Sequence, residues 1–429
     1  MVSGYPKAIV HFDGDSFFAS VEQALDHRLR GKPVVTGAER GAATALSYEA
    51  KRKGARRGMT MRQIRELVPD VIVVPSNYTA YSIYAHRMYK IVRSFAFDVE
   101  EYSIDECFAD ITGLTSRYGM SYEQIAQKIK AQLENDLGIT FGVGLAPNKT
   151  LAKVASSSHK PAGFTPLPLE RIPEFLKELP MGAVWGVGFS TSLKLEGLGV
   201  KTALDFAQKD HAWLREKRVS KPYKDIWNEL NGRFVREIGT EGDDDIGSII
   251  KSHTFRPSRD RAFILSQVAN NLEAACAKAR RHKVKARWMR FYLKTQEFTY
   301  AGITLDLGVP LSDPREFLCA IEARFDDIYE PFTQYRATGI GLYALTREEA
   351  VTPDLFGKSA QADKAEPLLK AIDALNHKYG RRTVHLAESL GAVSERDEPR
   401  RYKYEREILE LPVHQRKKTI SIPHLGSAH

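Results

Sequence analysis

A chain of 429 residues, 43% of them hydrophobic and 27% charged, is too apolar for a disordered protein and long enough for about three domains. Its formal charge of +9 favours a polyanionic partner, and Cys107, Cys276 and Cys319, without paired spacing, exclude a disulfide framework and a zinc knuckle. The N-terminus runs straight into a charged strand end and no stretch of about 18 apolar residues follows, so a cytoplasmic chain is expected, neither exported nor held in a membrane.

In chain order, KAIVHF (7–12) reads as a buried strand, FFASVEQALDHRLRG as a helix closed by Gly31, and KPVVTGA as a second strand. Asp13 falls at the end of the first strand, and Asp15 stands where the helix begins, an N-cap position. Residues 41–68 form a basic insertion with two short helices, crowded with Lys51, Arg52, Lys53, Arg56, Arg57 and Arg62. VIVVPS is a strand, and a long helix runs from Asn77 to about Phe97.

EYSIDECFAD (101–110) then sets Asp105 beside Glu106 in a run that otherwise reads as strand. Tyr102 and Ile104 lie on even positions, whereas Cys107, Ala109 and Ile111 lie on odd ones, so the register breaks at the acid pair. A bend there aims both carboxylates at one point; a plain hairpin turn with solvated acids is the other reading. Carboxylates kept inside need water, a cation or donors, because an unpaired buried charge costs several kcal/mol. The helix SYEQIAQKIKAQLENDLG and the strand TFGVGLAP complete a ferredoxin-like β-α-β-β-α-β pattern once the insertion is left out. If its first strand lies beside the hairpin, Asp13, Asp105 and Glu106 converge, an oxygen-only set suited to magnesium and to two-ion phosphoryl transfer.

Residues 168–237 are helical, and Gly186-Val187-Gly188 between apolar helical segments reads as a helix-hairpin-helix whose backbone N–H groups meet a nucleic-acid phosphate, or as an ordinary tight turn. GTEGDDDIGS (239–248) is a polar linker whose Asp243, Asp244 and Asp245 turn the chain away from a duplex or weaken its hold. Beyond it the strand, helix, hairpin, helix, strand order returns, and the same topology is expected a second time. AKARRHKVKAR packs six Lys or Arg into residues 278–287, including Arg280, Arg281 and Lys283; next to Trp288, Phe291 and Tyr292 it reads as a phosphate-tracking surface rather than a solvated face. AEPLLKAIDALNHKYG is a last helix, and the tail after it is expected to be partly ordered.

DGDSFFASVEQ, SYEAKRKGARRGM, YSIDECFAD, FGVGLAPNKTLAKVAS and HKPAGF, in that order and spacing, resemble the catalytic core of the Y-family translesion DNA polymerases, DNA polymerase IV type. The resemblance implies a multidomain α+β right-hand polymerase: ferredoxin-like palm (1–40 and 77–167), small inserted fingers (41–76), helical thumb with helix-hairpin-helix (168–238), linker (239–248), little finger of β-α-β-β-α-β order (249–351) and C-terminal extension (352–429). It implies a low-fidelity, template-directed DNA polymerase that adds dNTPs to a primer-template with two Mg2+ ions. Asp13, Asp105 and Glu106 would be metal ligands, joined by the Gly14 carbonyl, in a site wet and repulsive until the ions enter.

The nucleotide would lie against Phe17, Phe18, Tyr48, Lys51 or Arg52, and Lys160, with Phe18 the gate against a 2′ hydroxyl; a core role suits Phe17 better. The family carries Arg where this chain has Lys51, a point charge instead of a bidentate fork. Gly41, Ala42, Ala43 and Thr44 would make a loose roof over the nascent base pair, permissive of damage. DNA contacts are expected at Gly186, Gly188, Arg280, Arg281 and Lys283. A sliding clamp would be met by TPDLF through Leu355 and Phe356, with Thr352 where the family's peptide has Gln. A monomer is expected. A nucleotidyl cyclase on a palm fold would need no thumb or basic last domain, and a non-catalytic DNA-binding relative would lack one of the carboxylates.

Overall fold

The computed structural model describes residues 4–239, 246–351, 358–380 and 382–396. They divide into two compact units, one reaching to residue 239 and the other starting at 246. The peptide with Leu355 and Phe356, and the Asp243–Asp245 run, lie outside the described residues. No helix among the described residues is long and apolar enough to cross a membrane.

The first unit is built on β1 (Ile9–Gly14), β5 (Asp98–Ser103), β6 (Glu106–Asp110), β7 (Phe141–Ala146) and β8 (Phe164–Pro166), in the order β5-β6-β1-β7-β8. Alternation gives this sheet two faces. Val10, Phe12, Cys107, Ala109, Val143 and Leu145 pack against α4 (Tyr78–Arg93) and α6 (Tyr122–Leu137). α6 starts in a capping box of Ser121 and Gln124 and stops at Gly138, whose φ of 64° is left-handed. On the opposite face Ile9, Phe108 and Ala146 meet α7 (Lys149–Ser158) and the helical segment after it. That segment comprises α8 (Ile172–Glu178), α9 (Phe189–Gly197), α10 (Ala203–Ala207), α11 (His211–Glu216) and α12 (Lys221–Leu230). The short α5 (Leu114–Tyr118) precedes α6.

Before α4 come α1 (Phe17–Leu25) and a small sheet in which β2 (Val34–Thr36) lies between β3 (Ala45–Leu46) and β4 (Ile72–Val74), with α2 (Tyr48–Arg52) and α3 (Met61–Leu67) packed on it. The residues of β2, assigned from sequence to the larger body, pair with β3 and β4 and not with the five-stranded sheet. The inserted module therefore begins before residue 41. Three successive β-branched residues declare a strand but not its neighbours.

The helical segment is tied to the sheet at the start of α7. Asn148 caps that helix, accepting from the Leu151 amide at 3.0 Å, while its Nδ2 donates to the carbonyls of Glu229 (2.8 Å) and Arg233 (3.0 Å). Buried Lys149 pairs with Glu100 at 2.6 Å, and Glu100 also accepts from the Gly239 amide at 2.7 Å.

The second unit has β9 (Ile249–Ser258), β10 (Val284–Thr295), β11 (Tyr300–Leu311) and β12 (Tyr335–Arg347) in the order β11-β10-β12-β9, all antiparallel. α13 (Arg261–Arg281) lays Ile264, Val268, Leu272 and Cys276 on Met289, Phe291, Leu293 and Ile340, and α14 (Pro314–Glu322) adds Phe317 and Ile321. α15 (Lys358–Tyr379) and α16 (Leu390–Arg396) follow. The element order of the first sheet recurs, but the topology does not. In the first sheet the first strand is central and pairs with the hairpin; here the last strand takes that place and the first is an edge. Periodicity assigns faces, and only long-range pairing assigns neighbours.

Candidate active site

At the end of β1, Asp13 lies directly across from Glu106 on β6, and the Gly14 amide donates to the Asp105 carbonyl at 2.9 Å. Ile104 and Asp105 form the turn between β5 and β6, whose pairing slips between Glu101 and Ser103. The acid pair thus sits both on a hairpin turn and beside the first strand. Glu106 shares the sheet face of Asp13, and the Asp105 carboxylate accepts from the Ser103 hydroxyl.

Two lysines meet these acids. Lys153, on α7, places Nζ 2.6 Å from Glu106 Oε1. Lys160 places its ammonium 2.5 Å from Asp13 Oδ1 and 3.7 Å from Asp15 Oδ1. Burial pushes the Asp13 carboxyl up to about 6, Lys160 opposing the rise and Glu106 and Asp105 adding to it. Among the described residues no three His, Cys, Asp or Glu side chains close on one point as a ready cation cage. The expected mutual repulsion is instead relieved by the lysines, Lys153 being one that sequence reasoning missed; its signal was its place four residues after Lys149 on one helix. Below the acids, His11 is fully buried, its Nδ1 2.7 Å from Ser156 Oγ and its ring 4.4 Å from that of Phe108. Burial, with Lys153, Lys160 and Lys149 nearby, holds this imidazole well below its ordinary pKa.

Asp15 is not a helix cap. The N-cap of α1 is Ser16, at φ 48° and with no side-chain cap bond. The Asp15 carboxylate is wholly buried and accepts from the Ala162 amide (2.6 Å), Thr140 Oγ1 (2.9 Å) and the Tyr48 hydroxyl (3.3 Å). Donors from three distant segments outcompete the first turn of its own helix, and local sequence shows none of them. Burial and the Asp15 and Asp13 charges hold the Tyr48 phenol protonated, above its usual range. Lys51 Nζ lies 2.7 Å from Ser16 Oγ and 4.4 Å from the centre of the Tyr48 ring, and Arg52 is exposed. Partial burial and the nearby Lys160 lower the pKa of Lys51.

Phe18 stacks on Tyr81 with centroids 4.2 Å apart and planes at 10°, and meets Tyr78 edge-on at 5.5 Å. Tyr81 is itself buried and fixed by its hydroxyl bond to Glu22 at 2.6 Å. Phe17 points into the core, its ring so close under Gly14 that a Cβ there would meet Cδ2 at 2.7 Å; its side chain is removed from the nucleotide-facing set. Gly41 is exposed, and Ala43 is buried in the small module's core.

The Gly186–Gly188 loop exposes the backbone of both glycines and buries Val187. Gly186 has φ +89°, and a Cβ there would also press on Ile226 at 3.2 Å. The basic stretch 278–287 divides. Arg280, expected to face DNA, is engaged within the chain: its guanidinium donates to both Asp373 oxygens (2.7 and 2.8 Å) and to the Ser312 carbonyl (2.8 Å). Arg287 is bound to Asp306 by two bonds of 2.9 Å. Arg281 and Lys283 are exposed. Phe291 goes to the core, while Trp288, Arg290, Tyr292 and Lys294 share the other face of β10. Two glycines floor that face, since a Cβ on Gly339 would lie 2.3 Å from the Tyr292 ring and one on Gly341 2.6 Å from the Tyr343 hydroxyl.

Residues 12–157 match the impB/mucB/samB family, and residues 247–355 match the impB/mucB/samB family C-terminal domain. A DNA polymerase IV from Bacillus velezensis is 31% identical over 405 residues, covering 92% of this chain and 95% of that protein. The fold is similar to that of a Dbh–Dpo4–Dbh Y-family DNA polymerase chimera (TM-score 0.68, 22% identity, 79% of this chain and 99% of that one). It is also similar to Dbh DNA polymerase in an insertion ternary complex (TM-score 0.54, 21% identity, 79% and 99%).

Proposed function

We infer how the site works from the premise that this chain belongs to the impB/mucB/samB family and is a Y-family translesion DNA polymerase of the DNA polymerase IV type, a template-directed nucleotidyltransferase. Its substrates are primer-template DNA and dNTPs. The five-stranded sheet serves as palm, the small sheet with α2 and α3 as fingers, α8 to α12 as thumb, and the second unit's sheet as little finger.

The observation that carries the site assignment is the pairing of Asp13 with Glu106 across adjacent strands, with Asp105 on the turn bonded to Gly14. This donor set is all oxygen and sits where burial already disfavours bare charge at Asp13, so it fits magnesium. Asp13, Asp105 and Glu106, with the Gly14 carbonyl, would hold the ions. Bound there, they supply activation of the primer 3′ hydroxyl and charge neutralisation at the leaving phosphate.

The chain's own residues do the rest. Tyr48, held by Asp15, presents a fixed hydroxyl to the triphosphate, and Lys51, lying on the Tyr48 ring, adds a point charge. Lys160 exchanges Asp13 for a phosphate oxygen as the nucleotide enters. Phe18, backed by Tyr81, fills the space below the sugar where a ribose hydroxyl would go. Small residues at Gly41, Ala42 and Thr44, with Ala43 turned into the module's core, leave a loose cover over the base pair. The exposed backbone of Gly186 and Gly188 meets nucleic-acid phosphate, and in the second unit Arg281 and Lys283 with the Arg290 and Lys294 face offer phosphate contacts of their own. A sliding clamp contacted by Leu355 and Phe356, and a monomeric state, rest on the sequence resemblance.

Primer extension tests the assignment. Asp13→Ala, Asp105→Ala and Glu106→Ala should each abolish nucleotide addition while primer-template affinity stays near the parental value. Parental turnover in any of the three removes that residue from the site.

A further inference from the structure

Trp185 immediately precedes the Gly186–Gly188 loop, yet its indole turns into the acid hairpin. Nε1 donates to the Tyr102 hydroxyl at 3.0 Å, and the ring meets Tyr102 edge-on at 5.2 Å and leans on Phe108 at 5.7 Å. Tyr102 lies three residues before Asp105, and Phe108 two residues after Glu106. The Lys153 ammonium, bonded to Glu106 at 2.6 Å, lies 4.7 Å from the centre of the Tyr102 ring and 6.0 Å from that of Trp185. Arg236 covers the indole at 4.8 Å.

We propose that Trp185 is a positioning residue which, by fixing Tyr102 and through it Lys153, ties the seating of the Gly186–Gly188 loop on DNA to the placement of the Glu106 carboxylate. The inference rests on the reading of Glu106 as an active-site ligand and of the loop as a phosphate contact.

Its physical basis is selection among rotamers. Lysine has a flexible four-carbon stem, and an aromatic face attracts its ammonium most strongly where water is excluded. Two ring faces and one carboxylate together leave Lys153 a single favourable place. The indole bond sets the Tyr102 ring plane, and close packing transmits small displacements instead of absorbing them. A loop pulled onto a phosphate backbone therefore moves the indole, and the indole moves the cation that faces Glu106.

The test uses the full chain with primer-template and compares Trp185→Phe, Trp185→Ala, Lys153→Met and the Trp185→Ala, Lys153→Met double variant. Each single change to Ala or Met is expected to lower the maximal insertion rate roughly tenfold, at near-parental dNTP KM and DNA affinity, and the double variant to lose no more than either, because residues acting through one another are non-additive. Trp185→Phe, which keeps a ring but not the N–H, should fall between. The second readout is the emission of the parent minus that of Trp185→Phe: it should change when primer-template is added without divalent cation, and should already differ in Glu106→Gln. Multiplicative losses, or an indole emission indifferent to DNA, overturn the proposal; if Trp185→Ala does not fold, Trp185→Phe and the emission decide. An extending Asp13→Ala variant would instead strike the polymerase-site reading itself, so the two failures are distinguishable.

Discussion

Asp15→Asn changes one charge and almost no volume. In the parent, one carboxylate oxygen takes both the Ala162 amide (2.6 Å) and Thr140 (2.9 Å), and the other takes Tyr48 (3.3 Å) and faces Lys160 at 3.7 Å. An asparagine keeps a single acceptor. With that oxygen on the Ala162 and Thr140 side, its NH2 group faces Tyr48 and Lys160, and the bonds that remain are neutral. Hydrogen bonds to a charged group contribute about 1.5–3 kcal/mol against about 0.5–1.5 for neutral ones, so the exchange costs about 1–2 kcal/mol. The fold survives that loss. Tyr48 and Lys160 are the groups released, so the loss should fall on nucleotide binding: about a tenfold rise in dNTP KM at 1.4 kcal/mol, with kcat within about threefold of the parent. Single-nucleotide insertion on undamaged template, beside a urea melt and DNA anisotropy, reads all three quantities. A folded variant with parental KM, or one that loses kcat alone, refutes the view that Asp15 orders the triphosphate subsite. Asp15→Ala is the harsher control, removing the shared acceptor of the Ala162 amide and of the Thr140 and Tyr48 hydroxyls altogether.

Phe18→Ala should raise ribonucleotide insertion relative to deoxynucleotide, and an unchanged ratio in a stable variant excludes the gate; some stability should go with it, since the ring also stacks on Tyr81. Arg280→Ala should destabilise the second unit by about 2–4 kcal/mol through loss of the partly buried Asp373 pair, yet leave the salt dependence of DNA binding alone. An Arg281→Ala, Lys283→Ala double variant should do the reverse, lowering the log-log salt slope by close to one unit for every phosphate that is no longer neutralised. Lys51→Ala should raise dNTP KM and Arg52→Ala should not; the opposite result places the phosphate charge one position later.

The acid hairpin was legible because a switch in apolar parity at residues 104–107 leaves a mark in one dimension: Cys107 and Ala109 face one core and Glu106 the other side. The same parity on β10 separates Phe291 from Trp288 and Tyr292. What stayed hidden depends on partners far along the chain. Asp15 reads as a cap because its true donors are at Tyr48, Thr140 and Ala162. Arg280 reads as a surface charge because Asp373 is 93 residues away. Strand order in the second sheet escapes local pattern for the same reason, since β12 finds its place between β10 and β9 only in three dimensions. The clamp peptide falls outside the described residues.

Lys153 and Lys160, set against Glu106 and Asp13, bear on how the protein comes into being. Several acids crowded at the ends of neighbouring strands would oppose closure of the sheet that carries them, making assembly of this half of the molecule hostage to ion supply. With both ammonium groups supplied from the segment just after β7, the sheet can close as soon as that segment has been made. The newly synthesised chain should therefore mature at any magnesium concentration, and stripping divalent ions from the finished protein should silence it reversibly, with its melting temperature little changed.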